Sequence, residues 1–551
     1  MKVKVLALCL IAVSVTAGVA QSTHSMTMSS APAPGERLGT VSFAVSCQLA
    51  VQASFNRGVA LLHDFWYEEA QPQFKHIAKA DPDCAMAHWG IAMGVFHQIW
   101  DRPDESAMKI GGEELEKARS LAAKTPRERE YIAALAVFYK PGTQDFMTRV
   151  TAYSEAMGKL YQHYPDDVDA GAFYALSLLA AEAPNDTGLA QEHKAMAVLT
   201  PLFAKYPDNP GVVHYIIHSC DNPVMAFDGL AAANRYGEIA PSGPHAVHMS
   251  GHIYARLGMW PQDIDSQLAS IQASEAAEGR HESGIMDEPH SYDFLMYAYL
   301  QSGQDASAKQ VLDKIPSVVD RFAAMPDMGG GNMSWMVAYY RGKFPAFYAL
   351  ELRDWSAAAA LKPEAGASPE VATMIWWARA IGDGHLRHKE QARADLAQYD
   401  ALIAEVRKGR HAYYADSTGA KIERNEIAAW GSFAAGHQDE ALKQMRDAAD
   451  LQDKVGQGEV DIPAREMLAD MLLEFHQPQQ ALAEYRVALK LSPNRFNGLY
   501  NAGAAAEAAG DKPAAARYYA TLLQSAGGGQ SSRSELAHAR SFVSATQVAA
   551  K

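Results

Sequence analysis

At 551 residues, 48% hydrophobic and 21% charged, the chain reads as a folded protein too long for one ordinary core, so it is several domains or a repeat array. Its formal net charge is −15 and no long Lys/Arg run occurs. That argues against a nucleic acid or an anionic membrane as main partner, because phosphate binding needs a basic surface.

The first predicted element is a targeting segment. Lys2 and Lys4 precede the apolar run 5–20, whose small residues Gly18 and Ala20 suit a signal-peptidase site. The run falls short of the ~20 residues a spanning helix needs, and no later segment is long and apolar enough to span. Leu8 makes Cys9 a poor lipoprotein cysteine. The expectation is a signal peptide over 1–20 and a flexible lead-in over 21–44. The protein would then be exported, periplasmic or secreted, with no membrane span after cleavage. An oxidising compartment follows, and Cys47, Cys84 and Cys220 allow at most one intramolecular disulfide.

From residue 45 onward the pattern is helical. FNRGVALLHDFWYEEAQPQFKHIAKADPD (55–83) reads as two helices closed by Pro82. Thr125, Pro126 and Glu128 form a capping box with proline at the first helical position. Residues 169–184 read as a helix ended before Pro184. The glycine runs at 328–333 and 526–530 predict loops, the second ahead of a terminal helix, SELAHARSFVSA. Long alternating strand patterns are absent. Near the C-terminus Ala481 and Tyr485 recur 34 residues later as Ala515 and Tyr519, each within a helix–turn–helix unit. His63 and His97, Trp66 and Trp100, His214 and His248, and His218 and His252 keep the same 34-residue spacing.

Gly58, Ala70, Phe74 and Pro82 fall in the small, aromatic and proline slots of a known repeat. With the spacing, they make the chain resemble the tetratricopeptide repeat superfamily over 45–100, 205–305 and 460–525, and in degenerate form between. The arrangement is also similar to exported bacterial repeat proteins of unknown function. The resemblance implies an all-α fold, a right-handed α-solenoid of helix–turn–helix repeats, with the first helix of each pair on the concave wall. The expected division is an N-terminal block with a histidine-rich groove (45–315), an irregular Gly/Met-containing connection (316–350), a C-terminal block (351–525) and a tail helix (526–551).

Placing the turn glycines Gly258 and Gly303 in one slot puts His245 and His290 at the second position of their repeats. His214, His248 and Asp293 then fall at the fifth, His218, His252 and Tyr297 at the ninth, and Asp221 at the twelfth. The resemblance makes these groove-facing positions, and the i, i+3/i+4, i+7 spacing puts them on one helical stripe. Packed helices lie ~8–10 Å apart, so His214, His218, His248 and His252 can reach a shared ion. Asp221, His245, His290 and Asp293 are flanking ligands or supporting partners. Imidazole and carboxylate suit zinc, iron, copper or nickel. The alternatives are that these histidines meet a peptide's carboxylate or backbone carbonyls, or form a structural cluster.

Other features read more plainly. Cys47 and Cys84 open the first helices of neighbouring repeats, and a disulfide between them is expected. Cys220 lies off the histidine stripe and reads as a buried apolar residue ahead of a thiolate ligand. His63, His97, Trp66 and Trp100 read as packing ahead of function. Met325, Met328, Met333 and Met336 cover a hydrophobic gap or form a methionine-rich copper loop. No GxSxG, P-loop, HExxH or CxxC is present. Two functions remain. One is a scaffold that holds a peptide or protein partner in its groove, the commoner use of such repeats. The other is a metal-binding protein or metal-dependent enzyme with its His/Asp site in that groove.

Overall fold

The computed structural model describes residues 33–99, 102–142, 145–183, 188–284, 287–323, 334–409, 412–458, 460–526 and 531–549. The expected signal peptide, part of the lead-in, Trp100 and the glycine runs at 328–333 and 527–529 lie outside them. The fold is all-α, a helical-repeat solenoid. Twelve helix–turn–helix pairs follow one another among the described residues, their first helices being Gln52–His63, Ala85–Met93, Pro126–Phe138, Val168–Ala180, Pro210–Cys220, Pro244–Arg256, Glu288–Gln301, Ser334–Glu351, Pro369–His385, Thr418–Ala434, Ala464–Glu474 and Phe496–Ala508. The helix Ser534–Ala549 closes the array. No helix among the described residues is long and apolar enough to cross a membrane.

The repeat has a backbone signature. Among the described residues, the turn between first and second helix holds one residue at positive φ in ten of the pairs: Phe65, Gly142, Leu189, Gly258, Gly303, Arg353, Arg387, Gly436, His476 and Gly510. Only some of these are glycine, although L side chains pay for positive φ there. Helix starts follow ordinary capping chemistry. Thr125 and Glu128 form the expected capping box, and Glu128 also accepts from the amide and hydroxyl of Ser46 at 2.6 Å, pinning the N-terminal arm.

Each first helix packs on the first helix of the next repeat over much of the array, so these helices are buried on several faces, as Val168–Ala180 shows. The apolar interior divides into two clusters, one mainly over Leu38–Tyr254 and one mainly over Ala255–Ala539. Around 316–350, where an irregular connection is expected, helix runs to Ala323 and restarts at Ser334.

The Cys47–Cys84 disulfide is present, with Cα atoms 4.9 Å apart and a sequence separation of 37. It removes loop-closure entropy from the unfolded chain, worth ~3–4 kcal/mol. A buried polar network gathers on Arg495 in the second half. Buried Arg495 pairs with Glu351 at 2.9 Å and Glu466 at 3.0 Å, and donates to the Asp461 carbonyl at 2.9 Å. The Tyr297 hydroxyl donates to the same carbonyl at 3.0 Å.

Candidate metal centre

Three successive first helices carry the histidines, and all three begin with proline in the first turn: Pro210, Pro244 and Pro289. Proline at that position lacks only a donor the helix would leave unpaired anyway. Asn209 caps the first of them, its side chain accepting from the Val212 amide. The three helices pack side by side, which sets their histidine stripes against one another.

The rings meet, but not as one four-histidine centre. They form two groups of three: His214, His218 and His245, then His248, His252 and His290. Within each group one ligand atom from every ring lies within 4.8 Å of the others. His245 and His290, expected as flanking residues, are full members. The groups adjoin through His245 and His248, whose ring centroids are 6.0 Å apart on one helix. His214 and His248 are fully buried, whereas His218, His252 and His290 are half-buried. The rings are thus deeper than groove-lining residues.

The outer partners fix which nitrogen faces the cluster. His214 Nδ1 donates to the His63 carbonyl at 2.6 Å, so its Nε2 carries a lone pair. That Nε2 is buried and has no hydrogen-bond partner among the described residues. His248 Nδ1 lies 2.7 Å from Gln267 Oε1, while the Gln267 amide donates to Asp263 at 2.8 Å. That arrangement makes His248 the donor through Nδ1. His252 Nδ1 donates to Asp221 Oδ2 at 2.8 Å. The Nε2 atoms of His248 and His252 then face each other at 2.9 Å, a spacing that needs a proton or a cation between them. His245 Nδ1 lies 3.3 Å from Asp287 Oδ1. His252 is therefore a carboxylate-backed histidine, the arrangement that orients imidazole ligands and raises their basicity, and His245 has a carboxylate nearby.

Two glycines make room for these partners. A Cβ on Gly211 would lie 2.3 Å from His63 Nδ1, and one on Gly251 would lie 1.9 Å from Gln267 Nε2. Burial holds His214 and His248 well below the usual histidine range, and pushes His245 down to about 3. These rings are neutral at physiological pH, the form that ligates metal. Burial also pushes Asp287 and Glu68 up to about 7.

The two aspartates, expected as flanking ligands or supporting partners, each hold another side chain. Asp221 holds His252 and accepts from Arg256 Nε at 2.9 Å. Asp293 forms a buried ion pair with Lys343. Tyr297, which follows His218 and His252 in the ninth-position series, ends the stripe by joining the Arg495 network. Cys220 is buried against Met196 Sδ at 3.6 Å, as an apolar residue would be, and burial pushes its thiol up to about 12. His63 packs on Phe173 and bonds Tyr215 and Asp169, and His97 stacks on Tyr67. Trp66 is buried and donates to Ser283.

Sequence reasoning missed several contributors. Phe65, in its left-handed turn, lies against His214, His218 and His245 with ring centroids 4.4 to 5.6 Å away. Gln267 and the His63 carbonyl come from outside the histidine stripe. A glycine inside a helical pattern, as Gly211 and Gly251 are, was the available sign of close approach.

No family model matches the chain, and no curated protein matches it. Among solved structures, it is similar to the TPR domain of P58(IPK), at 12% identity and TM-score 0.20, over 90% of this chain and 99% of that one. It is similar to yeast Tom70 at 12% identity and TM-score 0.28, over 91% and 96%. It is similar to a human IFIT1 dimer with m7Gppp-AAAA at 12% identity and TM-score 0.35, over 80% and 90%. At these values no site or partner is carried over from them.

Proposed function

We propose that the chain is a metal-binding protein in which the solenoid holds late first-row transition ions on histidines of three consecutive repeats. The observation that carries this reading is His214 Nε2: a lone pair buried without a hydrogen-bond partner among the described residues, aimed at two other imidazoles. An unsatisfied buried acceptor costs roughly 1–3 kcal/mol, and a cation at that point removes the cost. The facing Nε2 atoms of His248 and His252 support the same reading. Neutral imidazole suits zinc, copper, iron or nickel.

The test is elemental analysis of the untagged chain, with calorimetric titration of zinc into the chelator-stripped protein. Bound metal that falls in His214→Ala and His252→Ala supports the reading. A metal-free chain that neither binds nor is stabilised by zinc, copper, iron or nickel overturns it. A second reading, a scaffold that holds a peptide or protein partner, is supported by the helical-repeat fold. We also take the apolar start of the chain to direct export, to a periplasmic or secreted location, and the Cys47–Cys84 disulfide is consistent with it.

A further inference from the structure

We infer that the cluster is a two-ion centre, one divalent ion per group, and that each ion keeps a coordination position open to a small exogenous ligand. The inference rests on the metal-binding reading and deepens it. Among the described residues the rings form two compact groups of three rather than one group of four. A structural zinc site is closed by four protein ligands, whereas a site with three protein ligands admits water or substrate at the fourth.

The residues that would close each site are engaged otherwise. Asp221 has one carboxylate oxygen on His252 and the other on Arg256. Asp293 is neutralised by Lys343. Asp287 backs His245, and Cys220 packs against Met196. His218 in the first group and His252 and His290 in the second are half-buried as residues, although the ring nitrogens of His214, His218 and His245 are themselves buried, so a ligand there would be small. In each group a neutral acceptor, the His63 carbonyl or Gln267 Oε1, lies behind one ring and a carboxylate lies beside another, hydrogen-bonded to it in the second group. Three neutral ligands and one nearby carboxylate leave a bound divalent ion with residual positive charge. Such an ion polarises a bound water towards hydroxide near neutral pH. The chemistry class is therefore metal-assisted attack of water on an electrophile.

Cobalt(II) is the probe, because its visible spectrum reports coordination number. The stripped chain titrated with cobalt should take up two ions with the intense bands of four-coordinate cobalt, and azide should shift those bands. His218→Ala and His290→Ala, both at half-buried rings, should each lose one ion and keep the other, with an unchanged helical circular dichroism spectrum. One ion shared by both groups, or two ions whose spectra azide does not move, overturns this inference and leaves metal binding standing. No uptake of cobalt or zinc removes both.

Discussion

At the residue scale, the centre depends on side chains that never touch an ion. Asp221 orients His252 and is itself held by Arg256. Asp221→Asn should weaken metal affinity by roughly 10–100-fold, measured by competition with a chromophoric chelator. An unchanged affinity would show that His252 is not a ligand. Asp263 lies one step further out, accepting from Gln267, and burial pushes it up to about 8. Its folded value lies above its unfolded one, so the folded state holds a proton the unfolded chain gives up from about pH 4. Stability contributed here falls as pH rises from about 4 to about 8 and then levels. Asp263→Asn, which keeps an acceptor for Gln267, should gain stability over the parent across that window, by up to about 1.4 kcal/mol per pH unit. Urea unfolding at several pH values checks it, and a flat difference would contradict it. At this scale the sequence was informative about all six histidines: a 34-residue ruler pairs His214 with His248 and His218 with His252, and the turn glycines Gly258 and Gly303 put His245 and His290 in one slot. It was silent on their division into threes, which depends on rotamers and on partners such as Gln267 that no periodicity marks.

At the scale of elements, the first helix of a pair presents its stripe only where the neighbouring backbone lets a partner in. Gly251 sits on the Pro244–Arg256 helix against Gln267. Gly251→Ala should push Gln267 off His248, costing about 1–3 kcal/mol of stability and weakening the second ion more than the first. Cobalt titration of the variant separates the two effects, and equal loss at both sites would contradict the assignment. Repeats between 305 and 460 were hard to read because their turn slots, Gly303, Arg353, Arg387 and Gly436, are unevenly spaced and two of them are arginine. The left-handed turn survives there while the residue type that advertises it does not.

At the scale of the whole molecule, the second group straddles the seam between the two apolar clusters. His248 and His252 lie on a helix packed mainly into the first cluster, and His290 lies on a helix whose apolar residues belong to the second. An ion there ties the halves together. Zinc at a hundredfold excess over its Kd should raise unfolding free energy by ~2.7 kcal/mol per site. It should also sharpen a calorimetric transition that is broader in the stripped chain, and His290→Ala should lose the sharpening. A transition equally broad with and without metal would contradict the coupling.

The most direct measurement is anomalous diffraction from crystals of the untagged chain grown with zinc, recorded on both sides of the zinc absorption edge. Two anomalous peaks are expected, one among the ring nitrogens of His214, His218 and His245 and one among those of His248, His252 and His290. Unchanged rings with no peak between them would contradict the account and leave a buried, hydrogen-bonded histidine core.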